Sequence, residues 1–131
     1  MEFEDLEKDL QAEVEKGEEI AIENIQNGVR FSPFIYFGEK NIKKMIADSL
    51  DEAIEMAEEE IESIDEETVV LIYSNKITLK DDSFDAIVSQ VYNVDEGSGY
   101  SFGLVYKIED NKMKFLNKRV FLVNVRNCLI F

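Results

Sequence analysis

Apolar residues recur through the first 27 positions at steps of three and four: Phe3, Leu6, Leu10, Val14, Gly17, Ala21 and Ile25. That is the spacing of one helical face, so the pattern predicts a helix over 2–27, closed by Asn27-Gly28. Gly17 lies in the seam itself. It either ends one helix and begins another, as glycine does just past a helix C-terminus, or sits mid-helix where a neighbour packs close. One long helix, with a kink allowed, is the expectation. A second stripe, Leu50, Ala53, Ile54, Ala57, Ile61 and Ile64, runs through SLDEAIEMAEEEIESIDEET, residues 49–68. Ser49 followed three residues later by Glu52 reads as a capping box at its start.

Elsewhere the helical period gives way to strands. FSPFIYF (31–37) is apolar on both sides, which predicts a strand buried on both faces, with Pro33 favouring an edge or a bulge. Gly38-Glu39-Lys40 reads as a turn and NIKKMIA as the returning strand. TVVLIY (68–73) follows as a short buried strand, turned at Ser74-Asn75 into KITLK. FDAIVSQVYNV (84–94), a DEGSG turn and YSFGLVYKIE (100–109) come next. In the last, Tyr100, Phe102, Leu104, Tyr106 and Ile108 share one face. Asp110-Asn111 reads as a hairpin turn, and MKFL and RVFLVNV close the strand set. The whole reads as a single α+β domain over 1–131. Its order is N-terminal helix, β-hairpin, second capped helix, then a mostly antiparallel sheet of about four further strands.

The helix ending in Asn27-Gly28, FSPFIYF, the capped helix and FDAIVSQV together resemble a group of small bacterial α+β proteins without an assigned function. In these a G-x-x-F-x-P-F stretch (here Gly28, Phe31, Pro33 and Phe34) precedes a hairpin, and D-A-I (Asp85 to Ile87) lies mid-sheet. The resemblance spans most of the chain. It implies a fold and no activity for any residue.

Charge adds a second pattern. The chain has 29 acids against 14 bases, a net charge of −15. Residues 1–67 carry 22 acids and 6 bases; residues 68–131 carry 7 and 8. All the excess lies in the N-terminal half. On the second helix Asp51, Glu52, Glu55, Glu58, Glu59 and Glu62 fill the side opposite the apolar stripe. Like-charge pairs such as Glu55/Glu59 and Glu58/Glu62 each cost about 0.2–0.5 kcal/mol at i,i+4. Burying large apolar side chains at roughly 1.5–3 kcal/mol each outweighs them. Glu55, Glu58, Glu59 and Glu62, with Glu4, Glu7, Glu15 and Glu18 of the first helix, form the candidate partner surface. The expectation is that two neighbouring helices present one negative face to a basic protein. A merely solvated face is the alternative. The charge balance argues against binding DNA, RNA or anionic lipid, which need clustered cations.

Candidate chemistry is sparse. The chain has no histidine, which removes the commonest general base and the commonest neutral metal ligand. Gly97-Ser98-Gly99 lacks the lysine and helix of a phosphate loop. Asp81, Asp82 and Asp85 could hold a hard cation, but without EF-hand spacing they read as a polar turn opening a strand. No catalytic residue, cofactor or metal is expected. The one cysteine, Cys128, excludes an internal disulfide and fits a reducing, cytoplasmic setting. CLIF (128–131) matches a C-a-a-X prenylation pattern, against which stands a terminal strand burying Leu129 to Phe131, the reading expected here. MEFEDLEKDL lacks the features of a signal peptide, and no run reaches the roughly 20 apolar residues of a membrane span. The functional expectation is a small acidic cytoplasmic protein acting by protein–protein interaction, in the manner of an immunity or inhibitor protein against a basic partner. The alternatives are a small-ligand binder using the sheet and the FSPFIYF aromatics, a carboxylate-based hydrolase, and a structural homodimer subunit.

Overall fold

A computed structural model describes residues 1–38, 40–116 and 119–130. The fold is α+β, with two α-helices and a seven-stranded antiparallel sheet among the described residues. A 3-10 turn at Phe3–Asp5 precedes α1 (Lys8–Gln26); β1 (Phe34–Phe37) and β2 (Asn41–Lys44) form a hairpin; α2 spans Leu50–Glu62. Then come β3 (Thr68–Leu79), β4 (Asp82–Asn93), β5 (Gly99–Glu109), β6 (Lys112–Phe115) and β7 (Val120–Val125). The sheet order is β2-β1-β3-β4-β5-β6.

The first helical stripe is interrupted at Leu6–Glu7, not at Gly17. Leu6 is extended and caps the 3-10 turn, and α1 restarts behind Glu7. Gly17 lies inside α1, buried, because β3 passes directly beneath it. A methyl group there would come within 2.9 Å of Ile72 Cδ1 and 4.0 Å of Val70 Cγ1. The missing side chain lets α1 approach the sheet.

Strand alternation explains where each helix sits. On β3, Val70 and Ile72 point to the side that carries α1, where they join Leu10, Val14, Ala21, Phe34, Tyr36, Ile87, Val91 and Phe102. Val69, Leu71 and Tyr73 point to the other side and join Ile35, Met45, Ala53, Ala57, Ile61, Val88, Tyr92 and Cys128. The two helices therefore cover opposite faces of the sheet. FSPFIYF is buried on both sides as its pattern implies, with Phe34 and Tyr36 on the α1 side and Ile35 and Phe37 on the α2 side. Its strand is interior, between β2 and β3, and Pro33 stands just before it, with its carbonyl accepting from Met45 N–H at 2.8 Å. A residue without an N–H fits there because it only has to accept.

Two strand expectations are corrected. The turn at Ser74-Asn75 is absent: β3 runs straight through to Leu79 and reverses at Lys80-Asp81, both at positive φ (50° and 70°). A two-residue reversal of that kind needs both central residues left-handed, and Asp tolerates this. Asp110-Asn111 turns the same way, as expected. At the chain end CLIF is a turn, not a strand: Cys128 is buried, Leu129 partly so and Ile130 exposed, while Phe131 lies outside the described residues.

The outer edge of β5 is shared. Tyr106 faces Phe115 of β6, and Gly103 faces Val120 of β7. Arg119 immediately precedes β7 and lies outside the ladder. At the opposite edge every residue of β2 is exposed, and Lys43 and Lys44 put charge on it, which discourages pairing with another sheet.

Ser89 is fully buried on β4 between Ile72 and Phe102, and its hydroxyl has no hydrogen-bond partner among the described residues. An unsatisfied buried hydroxyl costs about 1–3 kcal/mol. Ser89→Ala should therefore stabilise the protein by about 1 kcal/mol or more, read as a higher midpoint in urea with unchanged slope. A lower midpoint would mean that the hydroxyl is satisfied.

Candidate functional site

β1 and β2 stop at the level of Phe34 and Lys44, opposite Ile72, while β3 continues to Leu79 and β5 to Glu109. A groove of about 770 Å³ opens beyond the short strands, between the 28–33 and 45–49 loops, the start of α2 and the far ends of β3 and β5. Local sequence builds its walls. α1 ends in a Schellman motif: Gly28 is left-handed (φ +70°), its N–H donates to Ile25 O at 3.0 Å, and Val29 N–H donates to Asn24 O at 2.8 Å. That motif throws Val29 and Arg30 outward. On the other wall α2 starts at Ser49, whose hydroxyl accepts from Glu52 N–H at 3.2 Å, the serine half of the expected capping box.

The groove has an apolar rim. Ile46 is 74% exposed, Ile108 57% and Val29 51%. Phe115 is also exposed and sits across from Tyr106, two pairs along from Ile108. Exposed aliphatic side chains grouped around one concavity mark binding surfaces more often than chance allows. Arg30 and Asp48 are the charged residues of the lining, one on each loop, and neither forms an ion pair among the described residues. With one carboxylate in the lining, paired-carboxylate hydrolysis has no second acid there.

The acidic residues fall in two places, which corrects the expectation of one continuous surface. Glu55, Glu58, Glu59 and Glu62 lie on α2; Glu15 belongs to α1, Glu7 caps its start and Glu4 lies in the 3-10 turn before it, on the far side of the sheet. Each helix has one apolar stripe and each sheet face takes one helix, so the outward faces point apart. On α2, Arg126 bridges Glu62 at 3.3 Å and Glu58 at 3.7 Å, and Lys43 pairs with Glu60. Glu55 and Glu59, like Asp51 and Glu52, have no ion pair among the described residues.

Glu18 is the second correction, since it is no surface residue. It is 2% exposed, and its carboxylate accepts from Arg119 Nε at 2.9 Å and Nη2 at 2.6 Å. Arg119 also lies over the Phe3 ring, with Cζ 4.3 Å from the centroid. One guanidinium thus ties α1, the N-terminal turn and the β6–β7 excursion together. Burial pushes the Glu18 carboxyl above its ordinary range, against the pull of Arg119.

Under α2 a polar chain crosses the core. Tyr92 O–H donates to Gln90 Oε1 at 2.6 Å, and Gln90 Nε2 donates to Tyr73 Oη at 2.9 Å. Both phenols are held above their ordinary pKa, chiefly by burial. Cys128 packs beside them; burial first, and the Glu58 carboxylate second, raise its thiol to about 11. Asp81 and Asp82 lie at the β3–β4 reversal, Asp85 pairs with Lys76 at 3.2 Å, and no metal-holding cluster occurs among the described residues. No helix there is long and apolar enough to cross a membrane.

Three outcomes follow. Glu18→Ala leaves Arg119 without its carboxylate and should cost roughly 3 kcal/mol, the low end for an orphaned buried charge, because the Arg119 side chain keeps 25% exposure. A carboxyl whose folded pKa is raised binds its proton more tightly when folded. Its contribution is complete below the ordinary carboxylate range and is lost as pH rises through the raised value. Glu18 should therefore make the melting temperature rise from pH 7 to pH 5 relative to a Glu18→Gln variant; no difference between the two would contradict this assignment. For Cys128, the folded state keeps the proton that the unfolded chain releases near its ordinary value of 9.0, so its contribution is lost between pH 9 and about 11. The native thiol should resist a disulfide-exchange reagent at pH 8 and react fully once unfolded. Rapid labelling of folded protein would show the site to be open.

No family model, curated protein or solved structure matches the chain.

Proposed function

We propose that the protein works by non-covalent recognition of a partner protein with a basic surface, and that the groove is its binding face. The observation that carries the reading is the juxtaposition at one end of the sheet. Ile46, Ile108 and Val29 stand exposed around a concavity, and the first turn of α2, which forms one wall, bears the unpaired Asp51 and Glu52. An apolar contact beside the acids of α2 suits a partner that offers an apolar anchor flanked by lysine or arginine. The rest of the α2 face, Glu55 and Glu59, extends the field away from the groove and speeds encounter. An immunity or inhibitor role against a basic target in the cytoplasm is the concrete form of this reading. The groove's volume also falls within the roughly 300–1,000 Å³ typical of small-ligand sites, which supports a small-molecule binder as the second reading.

The test joins affinity capture to two sets of substitutions. Ile46→Asp should abolish capture without loss of fold, since the side chain is 74% exposed. Glu55→Gln with Glu59→Gln should raise stability by about 0.2–0.5 kcal/mol through lost i,i+4 repulsion. The same pair should slow association severalfold at low salt and little at high salt. Neutralising Glu58 and Glu62 should give no such gain, because Arg126 loses these two ion pairs. Capture untouched by Ile46→Asp would remove the groove from the binding face.

A further inference from the structure

We infer that the groove takes an extended peptide segment of the partner, apolar along its middle and basic at its flanks. This deepens the reading of the groove as the binding face and rests on it. The distinguishing feature is backbone, not side chain. The last hydrogen bond between the two loops is Met45 N–H to Pro33 C=O; beyond it the chains part. The peptide groups of Arg30, Phe31, Ser32, Ile46 and Ala47 then make no hydrogen bond within the protein among the described residues.

Whatever fills the groove takes water from these groups. Desolvated peptide N–H and C=O groups cost free energy unless they are paired again, so a purely apolar occupant is disfavoured. An extended segment brings donors and acceptors at regular intervals along both its edges, with side chains alternating between wall and solvent. The aliphatic rim of Val29, Ile46 and Ile108 receives the apolar side chains. Charge selects the flanks. Asp48 lines the groove and Asp51 and Glu52 follow it on the first turn of α2, in a chain of net charge −15, which repels an acidic segment. Arg30, unpaired on the other loop, is placed to donate to a carbonyl of the segment.

The probe is a pool of acetylated, amidated hexapeptides with Val, Leu, Ile or Phe at four central positions and Lys at both ends. Titration into the full chain is followed by amide and methyl NMR shifts and by calorimetry. The pool should shift Val29, Ile46 and Ile108. A twin pool with Glu ends should bind at least tenfold more weakly. So should a twin N-methylated at its central residues, which keeps every side chain and loses the N–H donors. Octanoate, apolar but without a peptide backbone, should shift these residues little. Equal binding by the N-methylated pool, tighter binding by octanoate, or no shift with the lysine pool would overturn the inference. The function reading fails separately: Ile46→Asp abolishing capture of the cellular partner while no peptide binds retains the groove and discards the peptide, whereas capture unaffected by Ile46→Asp discards both.

Discussion

Burial of β1 and β3 on both faces is the constraint from which the rest of the architecture follows. Val69, Val70, Leu71 and Ile72 are each completely buried, so neither side of the sheet can be left to water. Two helices are available, each with one apolar stripe, and each must take a face. That arrangement sets the distribution of charge. The acidic sides of α1 and α2 are the sides left over, and they point away from each other with the sheet between them. A net charge of −16 over residues 1–67 thus becomes two separate fields, not one.

The same constraint leaves an end uncovered. β1 and β2 are four residues long, and β3, β4 and β5 are eleven or twelve. Helices matched to the buried middle of the sheet do not reach the far halves of the long strands. The chain passing into β1 and out of β2 has to run across this step, and there the structure presents aliphatic side chains and unpaired peptide groups together. The groove is a consequence of mismatched strand lengths.

Much of the fold was legible because periodicity reports burial. The α2 stripe, the Ser49 cap, the two-sided burial of FSPFIYF and the Asp110-Asn111 reversal are all local signals. The Ser74-Asn75 turn misled because turn-forming residues also occur mid-strand, where the continuing ladder to β4 overrides them. The facing of the two acidic helices was not legible, since nothing local says which face of a sheet a helix will choose. Glu18 could have been found: with Val14, Ala21 and Ile25 it keeps the 4,3,4 step of the buried stripe, and an acid in that register needs a cation. Arg119, opening the apolar run RVFLVNV in the near-neutral half, was the natural partner. The groove residues had no such signal. Ile46 and Ile108 read as ordinary strand positions, and their exposure comes from where neighbouring strands stop.

The Glu18–Arg119 pair joins residues 101 positions apart in the chain. A nascent chain that has displayed α1 to solvent still lacks the guanidinium that pairs with its buried carboxylate, and it lacks it until Arg119 has emerged, 101 positions later. Until then, seating Gly17 against Ile72 would bury the Glu18 carboxylate without its cation, which opposes the gain from burying the α1 stripe. Burying Glu18 is thereby coupled to the arrival of Arg119, so the order of synthesis bears on the order of assembly.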